Sequence, residues 1–289
     1  MVSRIIRIIS LTLSMLLALC CMTGCFGKMI VQDEEHAELP DVDPEDGVEK
    51  TVAVKLYYRL TNEEYLAGVE SSVTVRAGER TETAVIRALI EGVPPLASNV
   101  SALFPSGTSI ENTYYEKGIL YVTLSKEVLD DSIIASLKEE DYQSPEDYQQ
   151  AVDDATREMY LRRRLGVLSI VNTIAGSDEG SRVQIMVDNE GSGTGSRMPY
   201  EKRQGEIMEP MGFDESVIVT PEKVVGCLFE RIANGQYDMA YALVAESDYY
   251  GITKPAYADF EAEMEALGRL ESYEITGTAE DGDGIYVMA

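Results

Sequence analysis

Few side chains in this 289-residue sequence carry reactive chemistry, and they are unevenly placed. There are four cysteines and one histidine. Cys25 stands directly after the small residues Thr23 and Gly24. Cys20 and Cys21 lie just upstream, behind bulkier residues. Cys227 is the only cysteine in the body of the chain, so no intramolecular disulfide can form there, and its apolar helical surroundings read as those of a buried structural thiol. His36 follows Asp33, Glu34 and Glu35, but consecutive side chains on a polar tail cannot preorganise a metal shell. Asp281-Gly282-Asp283-Gly284 offers too few oxygen ligands for calcium and reads as turn chemistry. Gly191–Ser196 (GSGTGS) follows a strand pattern, yet Arg197-Met198-Pro199-Tyr200 opens no helix to bind a phosphate, so it reads as a hairpin or linker. No serine or cysteine has a base beside it in a recognisable motif. No catalytic residue, no metal and no cofactor is expected, and the chain does not read as an enzyme.

The elements around these residues give them their meaning. Arg4 and Arg7 form a positive start, and Ile8 to Gly27 holds no charge, with Leu11, Leu13, Leu16, Leu17 and Leu19 filling the stretch. That is the pattern of a secretory signal peptide. The alternative is an uncleaved membrane anchor, since about 20 apolar residues can span a bilayer. Met22-Thr23-Gly24-Cys25 resembles the lipobox of bacterial lipoproteins, with Met22 where leucine is usual. Cys20 and Cys21 fit less well, because Leu19 and Cys20 would occupy the position that wants a small residue. The resemblance implies cleavage after residue 24, lipidation at Cys25, and anchoring at the extracytoplasmic face of the cell membrane by two or more acyl chains.

Net charge is −27, and losing Arg4 and Arg7 with residues 1–24 takes it to −29. Such a field repels nucleic acid and steers basic partners. Residues 25–50 read as an acidic tether, with Pro40 and Pro44 breaking any helix. The 45% hydrophobic content supports a folded body beyond it.

Thr51–Leu60 and Val69–Arg76 alternate as strands, and Thr81–Glu91 has an apolar helical face stopped by Gly92 and Pro94-Pro95. Thr108–Tyr115 and Gly118–Leu124 read as a hairpin, after which Ser125 can cap a short helix holding Val128 and Leu129. Ser144-Pro145-Glu146-Asp147 starts a helix that runs to about Ala175, with Leu161, Leu165, Leu168 and Val171 as its core stripe. Arg162, Arg163 and Arg164 form the one basic cluster, read as a solvated face paired with local acids. Ser181–Asp188 is a further strand. After a linker at 201–216, helices are expected from Thr220 to Asn234, over Tyr237–Val244 and over Tyr257–Leu267, then strands at Tyr273–Gly277 and Ile285–Met288.

Four segments in order resemble the GerM-type domain of bacterial sporulation and germination lipoproteins. They are Val54–Tyr58; Ala88–Gly92 with Pro94; Phe104–Thr108 with Val122–Glu127; and Ser169–Ile174 with Val183–Val187. Lys138–Arg157 reads as an insertion. Residues 217–289 more loosely resemble the cone-shaped nuclear-transport-factor-like fold. The likeness rests on Asn234–Tyr241 and on the Tyr257–Phe260 helix start. That fold hosts isomerases with an aspartate base and a tyrosine donor, for which Asp248, Tyr249, Tyr250 and Tyr257 are the residues at hand. The expected fold class is α+β. A small GerM-type domain at 51–200, a mixed sheet packed by helices, is followed by a partial cone-like domain at 217–289. The resemblance implies a non-catalytic assembly or scaffold lipoprotein of the cell envelope in sporulation or germination. Its partners would be the membrane, an envelope or sporulation protein complex and a second copy of itself, with no nucleic acid. The alternative is a ligand-binding lipoprotein of general envelope maintenance.

Overall fold

The computed structural model describes residues 48–95, 97, 99–177, 180–191, 195–198, 209–246, 253–281 and 284–289. β1 (Lys50–Leu60) and β2 (Leu66–Val75) pair antiparallel in unbroken register from Lys50↔Val75 to Arg59↔Leu66. Along β1 Val52, Val54 and Leu56 are buried while Thr51, Ala53 and Lys55 are exposed, the period-two pattern of a strand covered on one face. From Leu56 to Leu60 every residue is buried, because both faces are covered there. β2 begins earlier than its alternation suggests, since the Leu60 N–H already donates to the Tyr65 carbonyl at 2.8 Å and closes the turn. Helix α1 (Thr81–Glu91) follows, and the short strand β3 (Val100–Ser101) pairs with Arg59 and Leu60.

The second sheet runs β4 (Ile110–Glu116), β5 (Ile119–Ser125), β6 (Arg182–Asp188), β7 (Ser196–Arg197). β5 and β6 are parallel, from Ile119↔Arg182 to Ser125↔Asp188. A parallel pair needs a crossover. A 3-10 turn (Lys126–Leu129), the single-turn α2 (Ser132–Ala135) and the long α3 (Pro145–Ala175) supply it. The α3 start is as expected: the Ser144 hydroxyl accepts from the Asp147 N–H at 3.1 Å, and Pro145 takes the first helical position. Ser125 differs from expectation. Its hydroxyl accepts from the Ser109 N–H at 3.0 Å and closes the β4–β5 ladder, so it makes no cap to the 3-10 turn. β7 pairs antiparallel with β6, with Met186 opposite Arg197. A Cβ at Gly195 would lie 2.7 Å from Met186 Cβ and 2.8 Å from Thr123 Cγ2, so this glycine permits close backbone approach to the sheet.

Both sheets, α1 and α3 share one core. Val52, Val54 and Leu56 meet Val85 and Leu89, Leu120, Val122 and Leu124, Ile170 and Ile174, and Val183, Ile185 and Val187. Each such side chain contributes about 1.5–3 kcal/mol of burial free energy. The fold is α+β: one antiparallel sheet and one mixed sheet, packed by helices.

Beyond β7 the chain stays against this body. Met211 exchanges both backbone hydrogen bonds with Val183, at 2.8 and 2.9 Å, and the Val219 N–H donates to the Leu66 carbonyl at 2.8 Å. Then come α4 (Pro221–Ala233), α5 (Tyr237–Leu243), α6 (Tyr257–Leu267) and a hairpin of β8 (Gly277–Asp281) and β9 (Gly284–Met288). The three helices fall where the apolar spacing puts them. The first hairpin strand does not: Gly277, not Tyr273, begins it, because the register that pairs Asp281 with Gly284 brings Gly277 opposite Met288, the last residue of β9. Tyr273 instead packs its ring edge-on against Phe229 of α4, with centroids 5.2 Å apart. All described residues lie within one compact unit, His36–Ala289.

Candidate docking surfaces

From Leu165 to Ala175 every residue of α3 is buried, so its polar side chains need partners inside the protein. They find them on backbone. The Ser169 hydroxyl donates to the Tyr57 carbonyl, and the Thr173 hydroxyl accepts from the Tyr57 N–H at 3.2 Å. Asn172 donates to the Asp214 carbonyl at 3.0 Å and accepts from the Asp214 N–H at 2.8 Å. Two hydroxyls thus serve as a strand neighbour for β1, and one amide fastens the segment after β7. The Ser169–Ile174 motif carries fold, not a reactive group.

A second buried polar knot joins the β1–β2 turn to α4. Glu63, 4% exposed, receives Arg231 Nε at 2.9 Å and Nη2 at 3.0 Å as a two-point ion pair. Arg231 also donates to the Asn62 carbonyl and to Gln236 Oε1. On the other side Arg59 forks onto Glu158 of α3 and donates to the Glu63 carbonyl at 2.7 Å. Cys227 sits beside this knot with Leu60 and Leu243, a buried free thiol as expected. Burial first, and then the Glu63 carboxylate, push its pKa up to about 12, which keeps the thiol protonated and unreactive at neutral pH. No local pattern announces this knot, since Glu63 and Arg231 are 168 residues apart.

Cys25, His36, Asp248, Tyr249 and Tyr250 lie outside the described residues. The Tyr257 hydroxyl donates to Glu261 Oε1 at 2.9 Å, which raises its pKa. Arg163 departs from the expected acid pairing. It donates to the Leu129 and Asp130 carbonyls, while Arg162 and Arg164 have no ion-pair partner among the described residues. Among the described residues no group of three or more His, Cys, Asp or Glu side chains is placed to hold a metal, and no helix is long and apolar enough to cross a membrane.

What the described surface does offer is apolar exposure at the C-terminal end. Leu267 is 79% exposed, and Ile285, Tyr286 and Met288 are each about half exposed. Glu263, Glu265, Glu271, Glu274 and Glu280 of the same stretch of sequence also face solvent. A shallow recess lies between the Asn234–Tyr237 turn and the Glu265–Arg269 end of α6.

The family described as Germane, sporulation and spore germination, matches residues 55–192, the span from β1 to just past β6. Residues 55–192 are a Germane domain. The match includes the Ser169–Ile174 segment of α3 and ends before α4, leaving 217–289 outside it. Among solved structures, the tandem GerMN domains of the sporulation protein GerM from Bacillus subtilis are 19% identical. They match over 48% of this chain and 40% of that chain, with a TM-score of 0.29. A Clostridium perfringens protein assigned as a lipoprotein is 18% identical over 57% of this chain and 87% of that one, with a TM-score of 0.28. The chain therefore spans 40% of the tandem Germane-type structure it matches. No curated protein matches it.

Proposed function

We propose that this protein is a lipid-anchored, extracytoplasmic scaffold component of the cell envelope, acting without catalysis in sporulation or spore germination. The observation that carries the reading is the Germane domain at residues 55–192. Three features support the rest. Met22-Thr23-Gly24-Cys25 resembles a lipobox, so Cys25 would hold the acyl chains, with 25–50 as a tether. The buried polar side chains of α3 are spent on backbone, and the one described thiol is held protonated. The body presents an acidic surface with exposed apolar side chains, which suits protein contact.

The test is membrane fractionation and metabolic labelling with an alkyne fatty acid, in wild type and Cys25→Ala, through growth and starvation. Labelled protein in the membrane fraction, lost in the variant and accumulating around developing spores, is the expected result. Unchanged lipid labelling in Cys25→Ala would refute the anchor. Uniform envelope signal with no spore-linked timing would refute the developmental role.

A further inference from the structure

β9 combines features that are seldom left together on a surface. The Met288 carbonyl accepts from the Thr276 N–H at 2.8 Å, so it points toward β8. Alternation then turns the backbone groups of Ile285 and Val287 to the open side of β9. Among the described residues they have no backbone partner there. The side chains are apolar along the whole strand, Ile285 through Met288. One face lies on α4: Thr278, opposite Val287, reaches the Glu222 carboxylate. The other face carries Tyr286 and Met288, 50% and 49% exposed, and Ile285 at the hairpin tip is 52% exposed. Unpaired strand edges with apolar side chains are templates for another strand.

Charge selects the occupant. Residues 257–289 contain nine Asp and Glu against the single basic residue Arg269. A second copy would lay an equally acidic hairpin alongside, and the acidic tether at 25–50 would be repelled in the same way. A strand that alternates lysine or arginine with β-branched residues would satisfy both demands. Its backbone would pair with Ile285 and Val287, its apolar face would extend that of Tyr286 and Met288, and its cations would offset the acidic charge of residues 257–289. We infer that β9 is a strand-addition site for a basic, extended segment of another protein. The inference goes beyond the scaffold reading by naming the partner's chemistry, and it does not depend on the lipid anchor.

The test uses the full chain in detergent and a short labelled peptide of alternating lysine and valine. Two control peptides are needed: the same sequence N-methylated at alternate residues, and a lysine–proline peptide of equal charge. The lysine–valine peptide is expected to bind and to slow amide exchange at Ile285 and Val287, and both controls to bind at least roughly tenfold more weakly. Tyr286→Lys and Met288→Lys, at exposed positions, are expected to leave the circular dichroism spectrum intact and to weaken binding by about the same factor. Equal binding of either control would mean that charge alone acts, and would overturn the inference. Absence of lysine–valine binding, or binding indifferent to both substitutions, would do so too. Because this readout needs neither membrane nor spore, its failure is separable from that of the scaffold reading.

Discussion

The Germane domain and the C-terminal helices use similar amphipathic patterns to different ends. In the first, 22 side chains, all but Val128 and Met198 from the two sheets, α1 and α3, close on one another as a single buried core. In the second, the described helices bury only Cys227, Ala240, Leu243 and Phe260. Leu60 and Tyr65 of the β1–β2 turn complete the packing around α4, and the Glu63–Arg231 pair pins it. One region closes most of a core on itself; the other leans on a neighbour and keeps much of its apolar surface in water. Periodicity alone does not distinguish them, because it reports which face could be buried and not what is available to bury it.

The largest expected effect tests the well-buried side. Leu165→Asp places an unpaired charge among Tyr57, Leu66, Leu103, Leu168 and Val217. That costs several kcal/mol against a total of about 5–15 kcal/mol, so loss of the cooperative thermal transition is expected. An unchanged melting curve would refute the assigned face of α3. Next is Glu63→Ala, which leaves Arg231 without its carboxylate. The expected cost is about 2–4 kcal/mol, reduced because the Arg231 side chain is 21% exposed. Amide exchange should accelerate in α4 and α5 while β5 and β6 stay protected. Uniform acceleration would mean the two regions unfold together.

The Cys227 thiol gives a smaller, sharper readout of the same contrast. At pH 8 a thiol reagent should modify it on the order of a hundredfold more slowly in the folded chain than in urea. Its raised pKa stabilises the folded state at and below the ordinary thiol value of 9.0, an advantage lost as pH climbs toward about 12. Glu63→Ala should speed the reaction at neutral pH by opening α4; an unchanged rate would dissociate the thiol from the clamp. The smallest effect is expected at Glu79, whose carboxyl burial pushes up but Arg87 pulls further down, below the usual range. A depressed carboxyl stabilises above its unfolded pKa and loses that contribution as pH falls through the folded value. Glu79→Gln should therefore lower stability by about 0.5–1 kcal/mol at neutral pH and by almost nothing in strong acid. An equal loss at both would assign the effect to packing.

Much of the fold was legible because its signals are local. Ser144-Pro145 and Thr220-Pro221 are chemical starts of helices, and the alternation of Thr51–Leu60 matches β1 within a residue. What escaped is what depends on distant partners. Ser125 has the chemistry of a cap, but Ser109 takes its hydroxyl. Arg163 has the chemistry of a solvated cation, but the carbonyls at the end of the 3-10 turn lie within reach. The β8–β9 register, which sets Gly277 opposite Met288, leaves the β-forming run at Tyr273 outside the ladder. Asn172 was visible as a polar helix residue, while its partner Asp214 lies 42 positions away in a stretch that reads as linker.

The pairing of Tyr57 with Ser169 and Thr173 also closes one margin of the first sheet to accretion of further strands. A sheet grows by accretion where a margin still offers amide hydrogens and carbonyls to an arriving chain. At Tyr57 a helix has filled that vacancy with two hydroxyls, and a helix cannot be copied by the next molecule. Growth is capped at that point by an element with no further ladder to offer.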